Sequence, residues 1–212
     1  MRSKFDEQLA ELNNEMIDMA IMIEQSIGKA VDALARSDEK LAKEVMENDI
    51  SVDRAQKRIE GICFNLLIQQ QPVARDLRTI TAAMKMVTDM ERIGDHAADI
   101  SEMTIFMGKE KSVEGFEHIN KMAIETVIML KHSIEAYVER DQEKAKAVIE
   151  HDDIVDSLFA KAKQDIIQLI LNKPNEGEEA TDLLMVAKYF ERIGDHATNI
   201  AEWVIYSLKT VE

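Results

Sequence analysis

The stretch Glu91-Arg92-Ile93-Gly94-Asp95-His96-Ala97 recurs letter for letter as Glu191-Arg192-Ile193-Gly194-Asp195-His196-Ala197. Such identity, in two halves that otherwise differ at most positions, marks an internal repeat. Each copy sets two acids four residues apart, Glu91 with Asp95 and Glu191 with Asp195. On a helix these carboxylates share a face, one turn apart. Like charges at that spacing cost an isolated helix roughly 0.2–0.5 kcal/mol. A feature that is locally unfavourable and yet occurs twice suggests a cation held between the carboxylates. A solvated acidic stripe crossed by Arg–Glu pairs is the competing explanation.

Outward from the repeat, apolar residues keep helical spacing almost everywhere. Leu9, Leu12, Met16, Met19, Ile23, Ile27, Val31 and Leu34 form one stripe, which predicts a long amphipathic helix from Phe5 to about Ala35. Ser37-Asp38 supplies the cap of a second helix, which passes Leu41, Val45, Ile50, Val52, Ile59, Ile62 and Leu66 and ends near Gln71-Pro72. Pro72 suits the first turn of a third helix, which runs through Leu77, Ile80, Met84, Val87 and Ile93 to Met107. Gly108 to Gly115 reads as a linker. Three more helices follow: about Glu117–Tyr137, one capped by Asp141 and ending near Pro174, and about Glu178–Leu208. No stretch reads as a strand.

The halves correspond beyond the heptapeptide. Asp38 matches Asp141 and Val52-Asp53 matches Val155-Asp156, both 103 residues on, whereas the heptapeptides lie 100 apart. The second half has therefore lost three residues, around its second turn. The fold class expected is all-α: two antiparallel three-helix bundles related by duplication, residues 1–108 and 116–212.

Composition narrows the function. The 212 residues carry 41 Asp and Glu against 26 Lys and Arg, a formal net charge of −15. Such a chain repels nucleic-acid backbones and suits cations or a basic protein partner. The lone Cys63 lies in the apolar run Ile62-Cys63-Phe64 and reads as a small buried hydrophobe. Phe106 and Trp203 read as core residues. The acidic N-terminus holds no signal core and no run spans a membrane, so a cytoplasmic protein without membrane insertion is expected.

The second helix carries Asp49 and Asp53, and the fifth Asp152 and Asp156, again four apart. Counted back from the hairpin turns, Asp53 stands level with Glu91, and Asp156 with Glu191. Each bundle thus brings two acid pairs to one height. Asp99 extends the first series, while the matching position in the second half is Asn199, a neutral oxygen ligand at best. The candidate metal ligands are Asp49, Asp53, Glu91, Asp95, Asp99, Asp152, Asp156, Glu191, Asp195 and Asn199. All-oxygen ligation favours hard cations such as Mg, Mn, Ca or oxidised iron over a thiolate zinc site. Gly94 and Gly194 mark either close helix contact or room for an ion; His96 and His196 read as interface residues. No Glu-x-x-His pair of the di-iron type, phosphate-binding loop or nucleophile elbow occurs. His151-Asp152 faintly suggests a metal-dependent phosphohydrolase, but Asn48-Asp49 stands in its place in the first half.

Gln71-Pro72-Val73-Ala74-Arg75-Asp76-Leu77-Arg78, followed by Asp89-Met90 and the first heptapeptide, resembles the PhoU family of phosphate-uptake regulators over nearly the whole chain. The resemblance implies a cytoplasmic, usually homodimeric adaptor rather than an enzyme. Such adaptors link the ATPase subunit of a phosphate ABC transporter to a sensor histidine kinase and repress phosphate-starvation genes when phosphate is plentiful. It also implies iron or zinc clusters on the family's acid-x-x-x-Asp motif, matched here by Asp49–Asp53, Glu91–Asp95, Asp152–Asp156 and Glu191–Asp195. The Gln-Pro-Val-Ala-Arg-Asp-Leu-Arg segment has no full copy in the second half, where Lys173-Pro174-Asn175-Glu176 replaces its start.

Overall fold

The structure, a computed structural model, describes residues 2–69, 72–108 and 116–209. Six long helices account for almost all of them: α1 (Arg2–Arg36), α2 (Glu39–Gln69), α3 (Ala74–Met107), α4 (Phe116–Glu139), α5 (Gln142–Asn172) and α6 (Gly177–Leu208). The described residues contain no strand. The proposed linker, apart from Gly108, and the Gln70-Gln71 turn lie outside the described residues.

Amphipathicity builds this arrangement. The stripe of α1 is fully buried at Leu12, Met16, Met19 and Ile23, and it packs on α2 and α3. The second half repeats the pattern with α4 on α5 and α6. The halves are joined along α3 and α6, with a smaller contact between α1 and α4. The cores of both halves merge into one apolar cluster, in which Ile93 and Ile193 of the two heptapeptides are both buried.

The corners repeat as well. Asp38 accepts hydrogen bonds from the backbone N–H groups of Lys40 and Leu41, each at 3.0 Å. Asp141 accepts from Glu143 and Lys144 at 2.9 and 3.0 Å. Both are N-caps that satisfy otherwise orphaned donors. Just before them, Ser37 (φ 51°) and Arg140 (φ 58°) occupy the left-handed region. There the N–H of Asp38 bonds to the carbonyl of Ala33 and that of Asp141 to Ala136, both at 2.9 Å. This closes each preceding helix in the manner usually given to glycine.

Four details depart from the sequence expectations. Pro72 stands outside α3, whose first turn begins at Ala74 after Val73 in extended conformation; residues before the helix keep the fixed φ of proline without breaking a hydrogen bond. Pro174 opens a short 3₁₀ turn, Pro174–Glu176, before α6. Phe106 is 69% exposed, because it falls on the outer face of the last turn of α3, whereas Trp203 packs half-buried against the core. Ile50 and Leu77, counted in the apolar stripes, are exposed too. Cys63 is buried, and burial pushes its thiol up to about 12, so it stays protonated and inert.

Candidate functional site

The α2–α3 and α5–α6 hairpins bring the acid pairs together as their spacing predicts. Burial first, then the fields of Asp95, Asp53, Glu91 and Asp99, push the Asp49 carboxyl up to about 6. Asp152 is likewise pushed up to about 6 by burial, then by Asp156, Asp195, Glu191 and Asp153. Glu91 and Asp195 also lie above their usual range, each first through burial and then through the other acid of its heptapeptide. Each half thus has a pocket of carboxylates that raise one another's affinity for positive charge.

The glycines explain how the helices come so close. A Cβ on Gly94 would stand 3.0 Å from Val52 Cγ1 and 3.5 Å from Asp49 Oδ1. On Gly194 it would stand 3.0 Å from Asp152 Oδ1 and 3.4 Å from Val155 Cγ1. Glycine inside a helix is unfavourable by roughly 1 kcal/mol against alanine; here it lets the neighbouring helix lay a valine and a carboxylate directly on the backbone. Close helix contact, the plainer of the two readings, is what the glycines supply.

Two cations already sit among the acids. Arg92 donates to Asp95 at 2.9 Å and lies 3.6 Å from Glu91. Lys188 forms an ion pair with Glu191. The lysine lies three residues before its partner on the same helix. Among the described residues, no three His, Cys, Asp or Glu side chains are placed so as to hold an ion. The donor set nevertheless fits one: hard oxygen ligands, mutually repelled, with the Asp49 and Asp152 carboxyls each laid over a glycine. Asp49, Asp53, Glu91, Asp95 and Asp99 would hold it in the first half, and Asp152, Asp156, Glu191 and Asp195 in the second.

Asn199 belongs elsewhere. Its amide donates to Asp89 Oδ1 at 3.2 Å, and His196 Nδ1 donates to the same oxygen at 2.8 Å. Both bonds cross the α3–α6 seam. His96 and His196 face each other there with ring centroids 5.7 Å apart, and Tyr189 stacks 5.5 Å from His96. His96 Nδ1 also meets Asp99 at 3.1 Å, which ties that acid to the seam. Burial lowers the His96 pKa, with Asp99 acting against it. Asp89 and Tyr189 occupy the same place in their repeats, so the seam pairs histidine with aspartate on one side and with tyrosine on the other. Sequence spacing did not single out Asp89 or Tyr189; the mismatch two residues before each heptapeptide was the available signal.

Two acid-lined three-helix bundles, duplicated in one chain and joined through their third helices, define the class of protein. The family follows from comparison: the PhoU domain model matches residues 16–104 and again 119–204, and the chain belongs to the PhoU family. A phosphate-specific transport system accessory protein PhoU homologue from Clostridium acetobutylicum is 38% identical over 97% of this chain and 94% of its own. A homologue of the same description from Rhizobium meliloti is 33% identical over 96% and 86%. The crystal structure of PhoU from Pseudomonas aeruginosa superposes with a TM-score of 0.90 at 29% identity, covering 96% of this chain and 98% of that one.

Proposed function

We propose that this chain is an accessory regulator of a phosphate-specific transport system, acting as an adaptor rather than an enzyme. Full-length similarity to proteins of that description carries the reading. On it, a homodimer in the cytoplasm docks on the ATPase subunit of a phosphate ABC transporter and on a sensor histidine kinase, and restrains both uptake and the starvation response. The described residues contain no helix long and apolar enough to cross a membrane, so membrane-side action would come through such partners. Pull-down of the ATPase subunit and the kinase, with and without phosphate and metal, tests this. Binding to neither overturns the partner assignment.

Metal ions complete the proposal. A hard cation, iron by family resemblance or Mn or Mg by donor type, would relieve the repulsion that raises Asp49 and Asp152. Zinc, also implied by the family, would take the same oxygens less readily. The ion supplies charge neutralisation and a rigid link between α2 and α3 or between α5 and α6. This chain's own residues contribute the oxygen donors, and Arg92 and Lys188 must yield as the ion enters. Elemental analysis should find metal that is lost in Asp95→Ala and Asp195→Ala, and added metal should raise the melting temperature by mass action. The ion pairs of Arg92 and Lys188 favour a second reading, a metal-free scaffold, for which added Mn, Fe, Zn or Mg leaves the melting temperature unchanged.

A further inference from the structure

One concavity of this acidic molecule is lined by cations. Arg75 and Arg78 in the first turns of α3, Arg140 at the α4–α5 corner and Lys209 after α6 surround this concavity of about 470 Å³, to which Gln142 adds a neutral hydrogen-bonding group, while the Ser207 hydroxyl is already committed to the Val204 carbonyl at 2.7 Å. Among the described residues no Asp or Glu lines it. Asp141, next to Arg140, is turned to the start of α5, where it caps Glu143 and Lys144.

Part of the cluster has a structural role. Arg78 Nη1 donates to the Lys209 carbonyl at 3.0 Å and its guanidinium lies 5.7 Å from the Tyr206 ring centre, so it closes the end of α6 and is held in place. Arg75, Arg140 and the Lys209 ammonium form no ion pair among the described residues. The N-terminus of α3, where Arg75 sits, is left by Val73 without a side-chain cap.

The duplication provides an internal control. By repeat position, Arg75, Arg78, Arg140 and Gln142 correspond to Asn175, Glu178, Ser37 and Glu39. Ser37 and Arg140 share the same left-handed backbone and the same closing hydrogen bonds. The fold therefore does not require arginine at these particular positions: their twins are neutral or acidic, although Arg36, Lys40 and Lys43 line the Ser37 corner beside Asp38 and Glu39. Arg75 and Arg140, which lack the structural role of Arg78 and have no cation at the matching place in the other repeat, are best explained by what they hold.

We propose that this concavity binds inorganic phosphate as a dianion. Guanidinium forks match the tetrahedral oxygens in pairs, and an added ammonium supplies a further point charge. The volume suits a compact, hydrated oxyanion, and the net charge of −15 disfavours an extended polyanion such as nucleic acid. The site goes beyond the adaptor reading and does not depend on it.

Isothermal titration of the full chain with potassium phosphate, in chelator and against chloride at equal ionic strength, tests the proposal. Saturable binding by wild type is expected. Arg75→Asn with Arg140→Ser, the residues of the other repeat, should weaken it roughly tenfold or more. The melting temperature without phosphate should stay unchanged, because neither side chain holds the fold. Absence of saturable binding, equal heat from chloride, or undiminished binding by the double variant overturns the site. The assay contains neither protein partner nor free metal, so its failure leaves the adaptor reading standing.

Discussion

Asp89 on α3 accepts a hydrogen bond from His196 on α6 at 2.8 Å, and with it the two repeats are joined by a polar contact that exists on only one side of the seam. Asn199 shares the same carboxylate oxygen. Asp89→Ala should destabilise the protein by about 1 kcal/mol, since it leaves the part-buried His196 donor without an acceptor while the exposed Asn199 amide turns to water. Asp89→Asn should cost less, because its carbonyl still accepts. Urea unfolding measures both; an Asp89→Ala midpoint equal to wild type would show that water replaces the carboxylate at no cost.

The acid clusters set a pH dependence. Asp49 and Asp152 move from an ordinary 3.8 to about 6 on folding. The folded state thus binds more protons than the unfolded chain across that window, and stability falls as pH rises through it. His96 runs the other way: its pKa is lowered from 6.5, so stability rises with pH up to that value. Chelated Asp49→Asn/Asp152→Asn protein should exceed wild type by roughly 1 kcal/mol per site at neutral pH, after discounting for half-exposed surroundings. The advantage should vanish at about pH 4. Denaturation midpoints across pH check the sign, and bound metal should erase the difference.

Glycine substitutions separate packing from ligation. A Cβ at Gly61 meets nothing within 4 Å, so Gly61→Ala should stabilise α2 by about 0.5–1 kcal/mol. Gly94→Ala meets the stiff branch of the buried Val52 and should gain nothing or lose about 1–3 kcal/mol. At Gly194 the nearest atom is the end of the Asp152 carboxylate, which can swing aside. Gly194→Ala should leave thermal stability near wild type and weaken metal uptake by the second half, as read by elemental analysis.

The two corner aspartates should behave alike. Asp38→Ala and Asp141→Ala each remove an acceptor for two backbone donors and should cost about 1 kcal/mol apiece. The corners are in different repeats and share no partner, so the double variant should lose close to the sum. Chemical denaturation of all three proteins gives the answer.

Much of this was legible in the chain. Periodicity located six helices, and counting back from the hairpin turn placed Asp53 level with Glu91. The seam was not legible, because spacing within a half says nothing about how two halves dock. Asn199 was for that reason assigned to the metal site when its partner is Asp89 of the other half. Phe106 was misplaced because it falls on the outer face of α3, whereas its neighbour Met107 in the same turn packs on the core. The cation-lined concavity stayed hidden because Arg75, Arg140 and Lys209 are far apart in sequence and meet only through the fold.

Ser37 and Arg140 turn the chain through a conformation that L-residues adopt reluctantly, and glycine at either corner should ease it. Two very different side chains follow one backbone path there. Each corner is therefore a socket whose wiring is independent of its contents: what is plugged in can change the surface without changing the frame. A duplicated chain with such sockets can specialise one end while the other keeps a different character.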